Sequence, residues 1–216
     1  DEHIVTGDVI ASVIASLKKA ELTEGRVGIV GADTLSWSVH SQLAAAFPEV
    51  TWVPADEIAK EIRKVKSKAE IEKLRYASWV GCRATEAMLE TAVAGKTHGE
   101  VVAAGMEVLA KHGGILYNNF MSSGRGGNNP TSVATSFPTW GSPEVLEDGD
   151  WFHCGISGVV DGYYFDHARS KPIGNGTAEQ IRVFEAPMLA VQAAMAKVKP
   201  GVTASEVARA WREKLE

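Results

Sequence analysis

Apolar positions in the first part of the chain recur at two spacings. Residues 8–20 and 35–47 carry the 3.6-residue period of amphipathic helices, whereas 26–31 and 50–53 are short valine- and isoleucine-containing runs bounded by glycine or proline. Helices alternating with buried strands predict a parallel α/β arrangement, because parallel neighbours need a crossover and a helix supplies it. Gly25, Gly28 and Gly31 straddle the first strand instead of opening a helix, so they do not form a dinucleotide-binding loop. From residue 55 the texture changes to helices at 55–65 and 68–92, separated by the charged run Arg63-Lys64-Val65-Lys66-Ser67-Lys68. This predicts a domain boundary near Arg63, with domains at 1–63 and 64–216.

The pattern changes again in Gly149-Asp150-Trp151-Phe152-His153-Cys154-Gly155-Ile156-Ser157-Gly158-Val159-Val160-Asp161-Gly162-Tyr163-Tyr164-Phe165-Asp166-His167-Ala168-Arg169-Ser170, which reads as two strands around a Gly-containing turn. Period-2 alternation places His153 and Gly155 on one face of the first strand, and Tyr164 and Asp166 on one face of the second. If the strands pair, an imidazole and a carboxylate share a pocket, a combination suited to metal ligation or acid–base work. An Asp166–Arg169 pair beside a hydrogen-bonded sheet histidine would leave the same sequence pattern.

An internal repeat flanks this hairpin. Gly95-Lys96-Thr97-His98-Gly99-Glu100-Val101 matches Gly201-Val202-Thr203-Ala204-Ser205-Glu206-Val207 as G-x-T-x-x-E-V, and each follows a long Ala-rich helical stretch. Each T-x-x-E predicts a capping box, in which the threonine hydroxyl and glutamate carboxylate satisfy the first free amides of a helix. Two such boxes in one context predict a duplicated helix–helix–sheet unit. The first copy runs from the helix at Lys68 to near Gly174, and the second begins at Thr177. Strands of the second copy are absent from the sequence, so the second repeat reads as incomplete and the chain is expected to expose a sheet edge.

Composition narrows the function. With 216 residues, 45% hydrophobic and 23% charged, the chain reads as globular. A net charge of -5 leaves no basic footprint for nucleic acid, and no apolar run reaches the roughly 20 residues a membrane span needs. Cys82 and Cys154 have neither metal-type spacing nor the density of a disulfide framework, which points to a reducing, cytoplasmic setting. The chain opens at Asp1 without methionine, so a preceding segment is expected. Residues 117–130 are rich in glycine, amides and hydroxyls and read as a loop lining a polar pocket. Arg125 is its only charge and suits a carboxylate clamp. Asn128, Asn129 and Tyr164 are further candidates for binding substrate, and Trp140 and Trp151 for walling the pocket.

These motifs resemble the pita-bread hydrolases, the family of aminopeptidase P, prolidase, methionine aminopeptidase and creatinase. The matching pieces are the helix start from Lys64 to Arg75, Gly95-Lys96-Thr97-His98-Gly99-Glu100, Ser123-Gly124, Leu146-Glu147-Asp148-Gly149-Asp150, Gly162 through Ser170, and Val198-Lys199-Pro200-Gly201. The resemblance implies an α/β N-terminal remnant followed by an α+β pita-bread domain whose second repeat is incomplete. It also implies a homodimer acting on a small molecule or short peptide.

In metal-dependent relatives, the resemblance implies an aspartate on the first hairpin strand and a second aspartate eleven residues later; these positions fall on Gly155 and Asp166. The second carboxylate is present and the first is missing. His153 is a candidate substitute, so the expected metal ligands are Asp166 and His153, for one divalent metal (manganese, zinc, iron or cobalt) or none. The remaining family ligands are expected beyond Glu216. Creatinase is similar in fold but uses a histidine before an Asn-Pro pair; here Asn128 stands at that place, before Asn129-Pro130. The expected function is hydrolysis of a C–N bond in a small amide, amidine or peptide-like substrate with an altered or absent dinuclear site. The alternatives are a metal-dependent Xaa-Pro peptidase and a catalytically silent binding protein.

Overall fold

The computed structural model describes residues 7–124 and 144–215. The chain divides into two compact units, 1–67 and 68–216, so the division falls within the charged junction.

In the first unit, α1 (Val9–Lys19) starts where the Asp8 carboxylate accepts from the Ala11 amide at 2.9 Å. Strands β1 (Gly25–Ile29) and β2 (Val50–Pro54) pair in parallel, with α2 (Trp37–Ala46) between them in sequence and α3 (Asp56–Lys64) following. Helix α2 begins two residues later than its apolar period suggests, because the Ser36 hydroxyl accepts from the Val39 amide and ends the extended segment there. Gly31, at φ +80°, turns the chain after β1, and its amide donates to Asp56 Oδ1 at 2.7 Å. That N–H is therefore engaged in joining the turn to the start of α3.

The second unit contains α4 (Lys68–Thr91), α5 (His98–Lys111), the antiparallel sheet β3 (Gly114–Gly124), β4 (Trp151–Val160) and β5 (Tyr163–Pro172), then α6 (Ala178–Lys197) and α7 (Ala204–Arg212). Helix α4 buries Ala77, Val80, Gly81, Ala84, Thr85 and Met88, one stripe at i, i+3 and i+4 spacing. A Cβ at Gly81 would lie 2.3 Å from the Phe165 ring, so glycine lets the helix settle onto the sheet. The core combines this stripe with Val101, Val102 and Leu109 of α5 and with Phe152, Cys154, Ile156 and Val160 of β4. Each fully buried valine, leucine, isoleucine, phenylalanine or methionine of this core contributes about 1.5–3 kcal/mol through the water it leaves.

The hairpin pairs as expected, Asp166 lying opposite Ser157 and Ser170 opposite His153. Its two-residue turn, Asp161-Gly162, has φ of 51° and 82°, the left-handed pair that matches strand twist. Strand β3 corrects the reading of residues 117–130 as loop: the backbone pairs with β4 through Gly124. Asn118, Asn119, Ser122 and Ser123 hid the strand because polar residues occupy both of its faces, and a register shift between Leu116 and Asn118 breaks its alternation.

Both predicted capping boxes form, Thr97 with Glu100 and Thr203 with Glu206, and Thr177 forms a third with Gln180 at the start of α6. Thus α6 and α7 pair as α4 and α5 do, with α7 capped in the same way as α5. Among the described residues of α6, however, only Ala190 is buried.

Candidate functional site

Helices α4 and α5 cover one face of the sheet; α6 lies over the Trp151 end of the other face, and the rest of that face is left for chemistry. Pairing across three strands arranges the open face in rows: Ser122, His153 and Ser170; then Phe120, Gly155 and Ala168; then Asn118, Ser157 and Asp166; then Ile115, Val159 and Tyr164. Directly opposed residues point to the same side of a pleated sheet, so each row is one band of the site floor.

Asp166 is exposed, and one of its carboxylate oxygens accepts from Ser157 Oγ at 2.9 Å. Arg169, the cation nearest in sequence, donates instead to the Ala168 carbonyl at 2.7 Å. Among the described residues no lysine or arginine forms an ion pair with Asp166. His153 lies in a different row, half-buried, with Nδ1 2.7 Å from Ser170 Oγ and its ring tilted 37° against Phe120 at a centroid distance of 5.3 Å. Burial holds the His153 imidazole below its usual pKa and favours the neutral ring.

The row between them decides what the face can hold. Gly155 is buried, and a Cβ built on it would lie 2.1, 2.2 and 2.7 Å from carbons of the Phe120 ring. The ring of Phe120 therefore fills the space that a side chain at 155 would enter. Two donors to one metal ion must lie within roughly 4 Å of each other, because metal–donor bonds are about 2.0–2.3 Å. Asp166 is four residues along β5 from the partner of His153, about 13 Å of strand. The strand pairing puts the imidazole and carboxylate on one face without bringing them together, and Phe120 lies across the row that separates them. Among the described residues no three His, Cys, Asp or Glu side chains gather into a metal-holding group. Among the described donors on this face, Asp166 and His153 are too far apart along the strands to share one metal ion.

Tyr164 stands beside Asp166 on the same face, 61% exposed, with its ring edge-on to Tyr117 at 5.4 Å. At the opposite end, Trp151, His153, Ala168 and Ser170 floor a groove of about 750 Å³ whose other side is α6, including Phe184 and Pro187. Arg125, Asn128, Asn129 and Trp140 lie outside the described residues. Fully buried His98 meets Ser123 and Glu144: Nε2 is 3.0 Å from Ser123 Oγ, Nδ1 is 3.4 Å from the Glu144 carboxylate, and its amide donates to the Glu144 carbonyl at 2.9 Å. Sequence reasoning missed Phe120, Ser157 and His98 as site-forming residues. Alternation through Phe120, Ser122 and Gly124 offered a signal for the first, but only strand pairing shows which residue of β4 it covers.

Residues 72–216 match the profile of Metallopeptidase family M24. A Xaa-Pro dipeptidase from Pyrococcus furiosus is 28% identical over 190 residues, 87% of this chain and 52% of that protein. Among solved structures, an X-Pro aminopeptidase from Thermotoga maritima superposes with a TM-score of 0.76 at 22% identity, over 99% of this chain and 58% of that one. The prolidase from Pyrococcus furiosus superposes with a TM-score of 0.72 at 23% identity, over 98% and 59%. The chain spans about half the length of the curated relatives it matches.

Proposed function

The chain belongs to metallopeptidase family M24 and has its pita-bread fold, and from that premise we propose that it forms part of a hydrolase cleaving a C–N bond in a small amide, amidine or peptide-like substrate without a dinuclear metal centre. The observation that carries the reading is Phe120 filling the space over Gly155 while Asp166 stays on the open face. Two adjacent dications repel strongly unless bridging carboxylates neutralise them, and the described part of the site offers one carboxylate. In this reading the open sheet face binds the substrate, with Asp166 and Tyr164 toward it and the groove beside His153 taking its apolar part. Hydrolysis adds water across the bond, the hydroxyl going to carbon and the proton to the departing nitrogen. Cys82 and Cys154 are not in disulfides, which supports a reducing compartment such as the cytoplasm.

Names of relatives favour a second reading, a metal-dependent Xaa-Pro peptidase. Elemental analysis of the intact protein, combined with assays on Xaa-Pro dipeptides and on a panel of small amides and amidines, separates the two. The expected result is fewer than two metal equivalents per chain, negligible Xaa-Pro cleavage, and release of ammonia or amine from a panel member. Two tightly held metals with rapid Xaa-Pro cleavage overturns the proposal.

A further inference from the structure

The band of the open face around Asp166 has a chemistry of its own. Its carboxylate has no cationic partner among the described residues, and Ser157 steadies it through one hydrogen bond. Ser157 and Ala168, its small neighbours on the face, keep the floor low. Aromatic rings stand on two sides. Tyr164 is two residues away on the same strand, about 6.6 Å by strand rise, with Tyr117 edge-on behind it. The tip of the Phe120 ring occupies the place of a Gly155 side chain, diagonal to Asp166 and so about 7–8 Å away.

We propose that this band is a binding site for a weakly hydrated organic cation, an alkylated ammonium or an amidinium group. Two physical arguments select that ligand. A small divalent metal must exchange its water for several oxygen or nitrogen donors, and here one carboxylate, the Ser157 hydroxyl and the Asn118 amide stand among carbon rings. An organic cation holds its water loosely and needs only an opposite charge and electron-rich ring faces within about 6 Å. The inference deepens the hydrolase reading by naming the charge class of its substrate, and rests on that reading only for the use to which the site is put.

The test is binding of tetramethylammonium and acetamidinium to the intact protein by ligand-observed NMR, with tert-butanol as the neutral control. Saturable binding of a cation and not of tert-butanol is expected, weakened at least tenfold in Asp166→Asn and threefold or more in Tyr164→Ala; Asp166→Glu retains it. Variants are first matched to the parent by circular dichroism and melting temperature. Absence of saturable cation binding overturns the proposal. So does equal binding by Asp166→Asn, or stoichiometric Mn²⁺ that displaces the cation only when Asp166 is present. Cleavage of a neutral amide without cation binding removes this inference and leaves the hydrolase reading; cation binding without hydrolysis of any panel member does the reverse.

Discussion

Replacing Gly155 by alanine tests the interlock on which the site description turns. The new Cβ meets Phe120 ring carbons at 2.1, 2.2 and 2.7 Å, all below any real contact, so the ring must move. The ring is also packed against His153 at 5.3 Å, and moving it disturbs that contact. Overpacking of this kind costs about 1–3 kcal/mol. Gly155 is extended, with no left-handed φ to lose, so alanine recovers about 0.5–1 kcal/mol of backbone entropy. The net loss expected is about 0–2.5 kcal/mol, or a melting temperature lower by up to roughly 10 °C for a chain of this size. With Phe120 already cut to alanine the obstacle is gone, and Gly155→Ala should become neutral or mildly stabilising. The double-mutant cycle, read by urea unfolding of parent, Gly155→Ala, Phe120→Ala and the pair, should show coupling of at least about 1 kcal/mol. Additive effects in this cycle refute the interlock and reopen the face to a carboxylate at 155.

Two further outcomes follow from burial of titrating groups. Burial is the largest influence on His98 and lowers its pKa, although Glu144 and Asp150 pull upward; its folded value therefore lies below the ordinary 6.5. A neutral ring is favoured in the folded state, so its contribution is complete above pH 6.5 and is lost as pH falls through the depressed value. Urea stability measured from pH 7.5 down to 5 should decline more steeply in the parent than in His98→Gln, and parallel curves would refute the assignment. Burial also pushes the Cys154 thiol up to about 12, so native-state iodoacetamide labelling followed by mass spectrometry should modify Cys82 and spare Cys154 until the protein is denatured.

Local chemistry alone determined much of this protein. The threonine caps at 97 and 203, the long α4 stripe and the Asp161-Gly162 hairpin each depend on residues within a few positions of one another, and each was legible as sequence. The third cap, Thr177 with Gln180, obeys the same rule with an amide in place of a carboxylate. Strand β3 was not legible, because a polar run with a bulge looks like loop until a partner strand satisfies its backbone. The site belongs to the same class. Sequence counting located Gly155 and Asp166, but whether His153 replaces the missing carboxylate depends on distance across and along paired strands. Register separates His153 from Asp166 and puts Phe120, distant in sequence, over Gly155. Volume excluded by a side chain on a neighbouring strand has no signature in the segment it excludes; only the tertiary structure brings the ring and the glycine together.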